Sequence, residues 1–226
     1  MAGRTAVLTG VTGGWGRAVL DRFLETGWDV CAATRSGAAD VPSEVLVVEA
    51  DLTDASAAEG VVAAALERVG SVDALGCVAG GFRTDGLLHE SSPDVWRAML
   101  SANLETAYTM TRAALTPMLA AGSGSIVYVG SRAAVRPFPG AASYIVAKAA
   151  VLALMGAVDA EVRSKGVRVN TVMASIVDTP QNRRENPDAD VSRWTTGEQM
   201  ARVIEWLCGE DSAPLSGGAI PAYGRA

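Results

Sequence analysis

Tyr144 and Lys148 stand four residues apart in Ala141-Ala142-Ser143-Tyr144-Ile145-Val146-Ala147-Lys148. The segment reads as helix, and residues i and i+4 share a helix face, so phenol and ammonium point into one site. Thirteen residues upstream, Ser131 follows the apolar run Ile126-Val127-Tyr128-Val129 and a glycine, which puts a hydroxyl at the end of a strand. A phenol, a cation and a second hydroxyl are a kit for proton transfer to a carbonyl oxygen. A free phenol titrates at about 10. The Lys148 ammonium is expected to stabilise the phenolate and lower that value. A Tyr-x-x-x-Lys spacing alone recurs by chance on amphipathic helices; a second motif near the N-terminus gives it weight.

That motif is Thr9-Gly10-Val11-Thr12-Gly13-Gly14-Trp15-Gly16, lying between a predicted strand and a predicted helix. Glycines let the backbone turn tightly and approach a pyrophosphate, and the helix start offers unpaired amides and a favourable dipole. An ordinary strand-to-helix turn would not need four glycines in seven residues. Which nucleotide binds depends on the end of the second strand, where an acid would accept from the ribose 2′-hydroxyl of NAD. Here the strand ends Ala33-Thr34-Arg35-Ser36, without an acid. Arg35 can pair with a 2′-phosphate through its planar fork, which favours NADP and leaves NAD open; its plainer role is a solvated loop cation. Asp51 and Leu52 follow the third strand, where the carboxylate can accept from an adenine amino group, serve as a cap or turn before the helix that starts near Asp54, or do both.

The elements that must position these residues alternate. Strands are predicted at 5–9, 29–34, 45–49, 74–78, 125–129, 167–172 and 218–222, and helices at 14–26, 54–69, 93–121, 144–165 and 197–208. Such alternation means βαβ units, and right-handed crossovers give an α/β, doubly wound parallel sheet of Rossmann type. Ligands of such sheets sit at the carboxyl ends of the strands. Residues 1–226 are expected to form one dinucleotide-binding domain. Residues 176–194 break the pattern with two prolines and many charged and amide side chains, and are expected to be a substrate-side excursion.

With 226 residues, 49% of them hydrophobic, the chain can bury a sizeable core. A net charge of −6 argues against nucleic acid. No apolar run has the length of a membrane span, and Met1-Ala2-Gly3-Arg4 lacks the pattern of a signal peptide. Cys31, Cys77 and Cys208 have no metal-like spacing and suit buried thiols in a reducing cytosol. The expected location is cytoplasmic.

Together these residues resemble the short-chain dehydrogenase/reductase family over nearly the whole chain. The family's TGxxxGxG appears as Thr9, Gly10, Gly14 and Gly16, its adenine-side acid as Asp51, its mid-helix asparagine as Asn103, its serine as Ser131 and its YxxxK as Tyr144 and Lys148. Asn170-Thr171-Val172 and Thr179 match the region that cradles the nicotinamide. The resemblance implies catalysis by Ser131, Tyr144, Lys148 and Asn103. Tyr144 would donate the proton, Ser131 hold the substrate oxygen, Lys148 also bond the nicotinamide ribose, and Asn103 anchor a water. Cofactor contacts are expected at Gly10, Thr12, Gly14, Trp15, Gly16, Arg35, Asp51, Leu52, Ala79, Gly80, Lys148 and Thr179. The implied activity is NAD(P)H-dependent reduction of a carbonyl or imine by a homodimer or homotetramer with a small-molecule substrate; the alternative is a catalytically silent NADP(H)-binding regulator. Two departures, Cys77-Val78-Ala79-Gly80 for the family's NNAG and Ala174-Ser175 for its Pro-Gly, are similar to the dihydropteridine reductase subgroup. That enzyme, however, lacks the serine kept here as Ser131. Phe82, Arg132, Phe138 and Trp194 fall on loops at the carboxyl edge, where packing or solvation explains each as readily as substrate contact. Trp15 is expected to pack between helix and sheet, and His89 to be solvated.

Overall fold

A computed structural model describes residues 3–35 and 41–225. Ser36, at the end of the expected cofactor-selecting stretch, and Met1-Ala2 lie outside the described residues. The chain runs β1 (Arg4–Thr9), α1 (Gly16–Glu25), β2 (Trp28–Thr34), β3 (Leu46–Glu49), α2 (Ala55–Val69), β4 (Ala74–Cys77), α3 (Pro93–Leu100), α4 (Thr106–Ala121), β5 (Gly124–Ser131), α5 (Ala142–Val162), β6 (Val167–Ala174), β7 (Val177–Asp178), α6 (Pro180–Glu185), β8 (Thr195–Thr196), α7 (Gly197–Cys208) and β9 (Ala219–Ala222). Seven strands form one parallel sheet in the order β3-β2-β1-β4-β5-β6-β9. The chain winds outward from β1 in one direction, then returns to β4 and winds in the other. The switch point therefore lies between β1 and β4, where a ligand crevice belongs.

Both sheet faces are covered, so the central strands are apolar on both sides. Leu75, Ile126 and Tyr128 pack under α2, α4 and α5 with Met110, Met118 and Val151. Leu8, Val127 and Val172 pack under α1 and α7 with Phe23, Met200 and Ile204. The Tyr128 hydroxyl, wholly buried, lies 2.7 Å from Thr111 Oγ1, which removes the cost of burying it.

Local signals set the helix ends. Asp54 caps α2, accepting from the amides of Ser56 (2.7 Å) and Ala57 (3.1 Å), and Gly70 closes that helix with φ 93°. Thr196 and Gln199 make a reciprocal capping box at α7. The single helix expected over 93–121 is instead α3 and α4 joined through a π-helical turn at Ser101–Glu105. The extra residue per turn holds the Asn103 amide inward, where it donates to Met99 O (2.9 Å). The helix expected over 144–165 starts earlier, at Ala142, and its last residues tighten into a 3₁₀ turn. Residues 176–194 hold β7, α6 and a short 3₁₀ turn before β8 pairs back onto β7. Among the described residues no helix is long and apolar enough to cross a membrane.

Candidate active site and coenzyme cleft

The turn after β1 is built by close backbone approach. Gly10 takes φ 73°, and a Cβ there would stand 2.6 Å from the Ala79 nitrogen, so β1 and the end of β4 meet only with glycine. Thr9 Oγ1 accepts from that Ala79 amide at 3.0 Å and fixes the meeting point. A Cβ on Gly16 would collide with the Gly10 carbonyl oxygen, which forces glycine where α1 packs on the turn. The turn closes through Gly13 N to Gly10 O (3.0 Å) and Gly16 N to Gly13 O (2.9 Å). α1 begins after Trp15 with no side-chain cap and no acid in its first turn, so no side chain competes with an anion for the helix start.

From this turn a cleft of about 540 Å³ runs over the carboxyl ends of β1, β2 and β4. Gly10, Thr12, Gly14, Trp15, Gly16, Arg35, Asp51, Leu52, Ala79 and Gly80 all line it, so ten of the twelve expected cofactor positions share one wall. Asp51 accepts from the backbone (3.0 Å) and hydroxyl (2.7 Å) of Thr53; those bonds, and more weakly Arg35, hold its carboxyl below the usual range. Its turn-forming role is thus visible alongside its place in the cleft. Leu52 is buried, and its carbonyl accepts from Thr109 Oγ1 of α4. Trp15 packs against the core layer under α1 and abuts Gly197 at the start of α7.

Thr34 was not among the expected positions. It is buried at the end of β2, lines the cleft beside Arg35, and its hydroxyl has no partner among the described residues. A buried unpaired hydroxyl costs free energy until something bonds it. The residues therefore fit a dinucleotide: an uncapped helix start and glycines for a diphosphate, and an open hydroxyl with a guanidinium beside the ribose position. A threonine before Arg35 is the sequence signal that could have revealed it.

The other group gathers past Gly80. A Cβ on Gly80 would lie 2.7 Å from Asn103 Oδ1 and 3.3 Å from Lys148 Nζ, so the asparagine and the lysine flank one backbone position. Asn103 accepts from Gly81 N (3.2 Å) and donates to Gly81 O (3.0 Å), bolting this loop to the π turn. Lys148 is buried, donates to Val129 O (2.8 Å), and its nitrogen lies 6.0 Å from the Tyr144 ring centroid. Burial brings Lys148 down to about 8, with Cys77 opposing. Ser131 ends β5 as expected; its hydroxyl accepts from Ala133 N (3.1 Å) and lies near enough to Tyr144 to act on the phenol. The expected lowering of Tyr144 by Lys148 is not what the structure shows: burial dominates and raises the phenol, and the opposing influence is Ser131. Tyr144 is therefore held fully protonated, as a proton donor must be.

Thr179 is buried, caps α6 by accepting from Asn182 N (3.1 Å), and its methyl sits 3.4 Å from where a Gly14 Cβ would be. A two-point ion pair between Asp178 and Arg183 (2.6 and 2.7 Å) holds the same turn. The Asn170-Thr171-Val172 stretch is wholly buried. It lies inside β6, and Asn170 spends its amide on Leu215 O (2.9 Å) and Gly218 N (3.1 Å). Trp194 is buried packing, and the Arg132 guanidinium sits 5.4 Å from the Tyr223 ring centroid. His89 is solvated beside Glu90. The three cysteines are free and buried.

A family model described as short chain dehydrogenase matches residues 4–190. The chain belongs to the short-chain dehydrogenase family. Membership makes it an NAD(P)-dependent oxidoreductase. Among its relatives, the 2-(R)-hydroxypropyl-CoM dehydrogenase of Xanthobacter autotrophicus is 31% identical, with 96% of each chain covered. The 3-oxoacyl-acyl-carrier-protein reductase FabG of Vibrio harveyi is 29% identical over 99% of this chain and 97% of its own. Of solved structures, ElxO with NADP bound superposes with TM-score 0.91 at 23% identity, covering 98% of both chains. A short-chain dehydrogenase/reductase from Mycobacterium ulcerans superposes with TM-score 0.90 at 22% identity, covering 98% of this chain and 89% of that one.

Proposed function

We propose that this short-chain dehydrogenase reduces a carbonyl or imine group with NADPH, with Tyr144 as the proton donor. The observation that carries the reading is the junction at Gly80, where Asn103 and Lys148 converge, with the Lys148 nitrogen 6.0 Å from the Tyr144 ring centroid. Bound in the cleft, the reduced nicotinamide supplies the hydride to the carbonyl carbon. Ser131 holds the substrate oxygen. Tyr144 passes its proton to that oxygen, or to the nitrogen of an imine, as the double bond to carbon opens, so the product is the alcohol or the amine. Lys148, a cation below about pH 8, supplies positive charge on the helix face it shares with Tyr144 and, in this reading, bonds the nicotinamide ribose. Asn103 keeps the 80–81 loop and the lysine in register. The names of the two relatives, a dehydrogenase of a hydroxypropyl compound and a reductase of a 3-oxoacyl compound, support an alcohol–carbonyl pair.

NADP(H) is favoured over NAD(H) because Thr34 and Arg35 offer an open hydroxyl and a cation where an acid would select the free ribose. Residues 176–194 are the substrate-side cover of one domain, Thr179 being the member nearest the phosphate turn. The enzyme works in the cytoplasm on a small molecule, as a homodimer or homotetramer. Val146, Ala153, Gly156, Ala157 and Ala160 lie exposed along α5, which suits helix pairing with a second copy. A monomeric mass by light scattering at micromolar protein would refute the assembly.

A reductase screen with NADPH and NADH over ketones, quinones and dihydropterins tests the activity. Turnover confined to dihydropterins would bear out the subgroup likeness of the 77–82 stretch. Tight NADPH binding with no turnover on any class would leave the silent regulator instead.

A further inference from the structure

Phe82 is a large apolar side chain that the proposed chemistry leaves unused. Its ring stands edge-to-face with Tyr144, centroids 4.9 Å apart and planes at 89°, yet 49% of the residue is exposed. Exposed phenylalanine is costly, and this one lies against the ring that carries the reacting hydroxyl. Its backbone is not a loose loop tip. Gly81 is bonded twice to the Asn103 amide, and Asp85 N donates to Gly140 O (3.2 Å), which leads directly into α5. The backbone on either side of Phe82 is thus tied to Asn103 and to the approach to α5, the helix that carries Tyr144. The segment leading to α5 adds two more exposed apolar side chains, Val135 and Phe138.

We infer that Phe82 is a specificity-determining residue that selects carbonyl compounds bearing a flat unsaturated ring next to the carbonyl group. The inference rests on the reading of Tyr144 as proton donor to a carbonyl. A ring already paired edge-to-face keeps a preferred orientation for the next aromatic group, and aromatic pairs gain beyond the apolar area they bury. A rigid ring also loses less rotational freedom than a flexible chain of the same carbon count. A merely apolar wall would favour both equally.

The test compares acetophenone with 2-octanone, which have equal carbon counts, in the wild type, Phe82→Leu and Phe82→Tyr. The wild type should show the higher kcat/KM on acetophenone. In Phe82→Leu the ratio of the two kcat/KM values should fall roughly tenfold, the size of one aromatic contact. Phe82→Tyr keeps the ring and should hold the wild-type ratio. A wild type that prefers 2-octanone, or a Phe82→Leu ratio equal to the wild type's, overturns the inference. If neither ketone is turned over, the reductase reading fails separately. Binding of the two ketones to the NADP⁺ complex, followed by ligand-observed NMR, then decides for Phe82: ring preference lost in Phe82→Leu supports it, and equal binding in both proteins overturns it.

Discussion

Replacing Gly80 by alanine should cripple turnover without unfolding the protein. The new Cβ would stand 2.7 Å from Asn103 Oδ1 and 3.3 Å from Lys148 Nζ. Asn103 cannot retreat freely, because its amide is held by Gly81 N, Gly81 O and Met99 O. Giving up one or two of these buried bonds costs about 2 kcal/mol. If that cost falls on the reacting geometry, kcat drops about thirtyfold. Arg35 and Asp51 lie at the far end of the cleft, so NADPH affinity should change much less. The assay is kcat and KM with NADPH, an equilibrium NADPH titration, and a melting curve. Gly60→Ala is the control, since its Cβ meets no atom within 4 Å. It should leave kcat alone and raise stability by about 1 kcal/mol, as alanine replaces glycine in an exposed helix. A folded Gly80→Ala protein with wild-type kcat would refute the coupling of Gly80, Asn103 and Lys148.

Tyr144→Phe keeps the ring and removes the acid, so ketone reduction should fall roughly 10²–10⁴-fold while NADPH binding holds; full activity on a simple ketone would end the proton-donor assignment. Arg35→Ala and Thr34→Val should each weaken NADPH and spare NADH, Arg35 by roughly ten- to hundredfold, read by fluorescence titration at fixed ionic strength. On the pH axis, Lys148 is protonated below about 8 and Tyr144 stays protonated beyond its usual range. Reduction should therefore be full below about pH 8 and fall as pH rises through it; a kcat/KM profile flat to about pH 9.5 would contradict this. The same lowered lysine binds fewer protons folded than unfolded between about 8 and 10.5, so its contribution makes stability rise with pH across that window.

Much of the fold was legible because glycine and burial leave strong marks. The βαβ alternation, the phosphate turn and the strand-end serine all follow from local composition, and each stands where it was expected. The π turn was not legible, since Ser101-Ala102-Asn103-Leu104-Glu105 has ordinary helical composition and the extra residue per turn is imposed by Asn103 reaching Gly81 across the fold. The direction of the Tyr144 shift was misread for a related reason. Spacing reveals that Lys148 shares a helix face with the phenol, but only packing reveals that burial outweighs the cation. Asn170 was matched to the nicotinamide-cradling region by family resemblance; the C-terminal segment that claims its amide is 45 residues away in sequence. A threonine before Arg35 is visible in the sequence, but that its hydroxyl is left open is a property of the folded surroundings.

The central claim is hydride transfer to a carbonyl carbon with proton donation from Tyr144. NADPH deuterated at the transferable C4 position, incubated with the wild-type protein and acetophenone, tests it most directly by mass spectrometry of the product. The account predicts one deuterium on the carbinol carbon with wild type, and label transfer slowed by orders of magnitude with Tyr144→Phe. Tight NADPH binding with no label reaching a ketone, a quinone or a dihydropterin would contradict it.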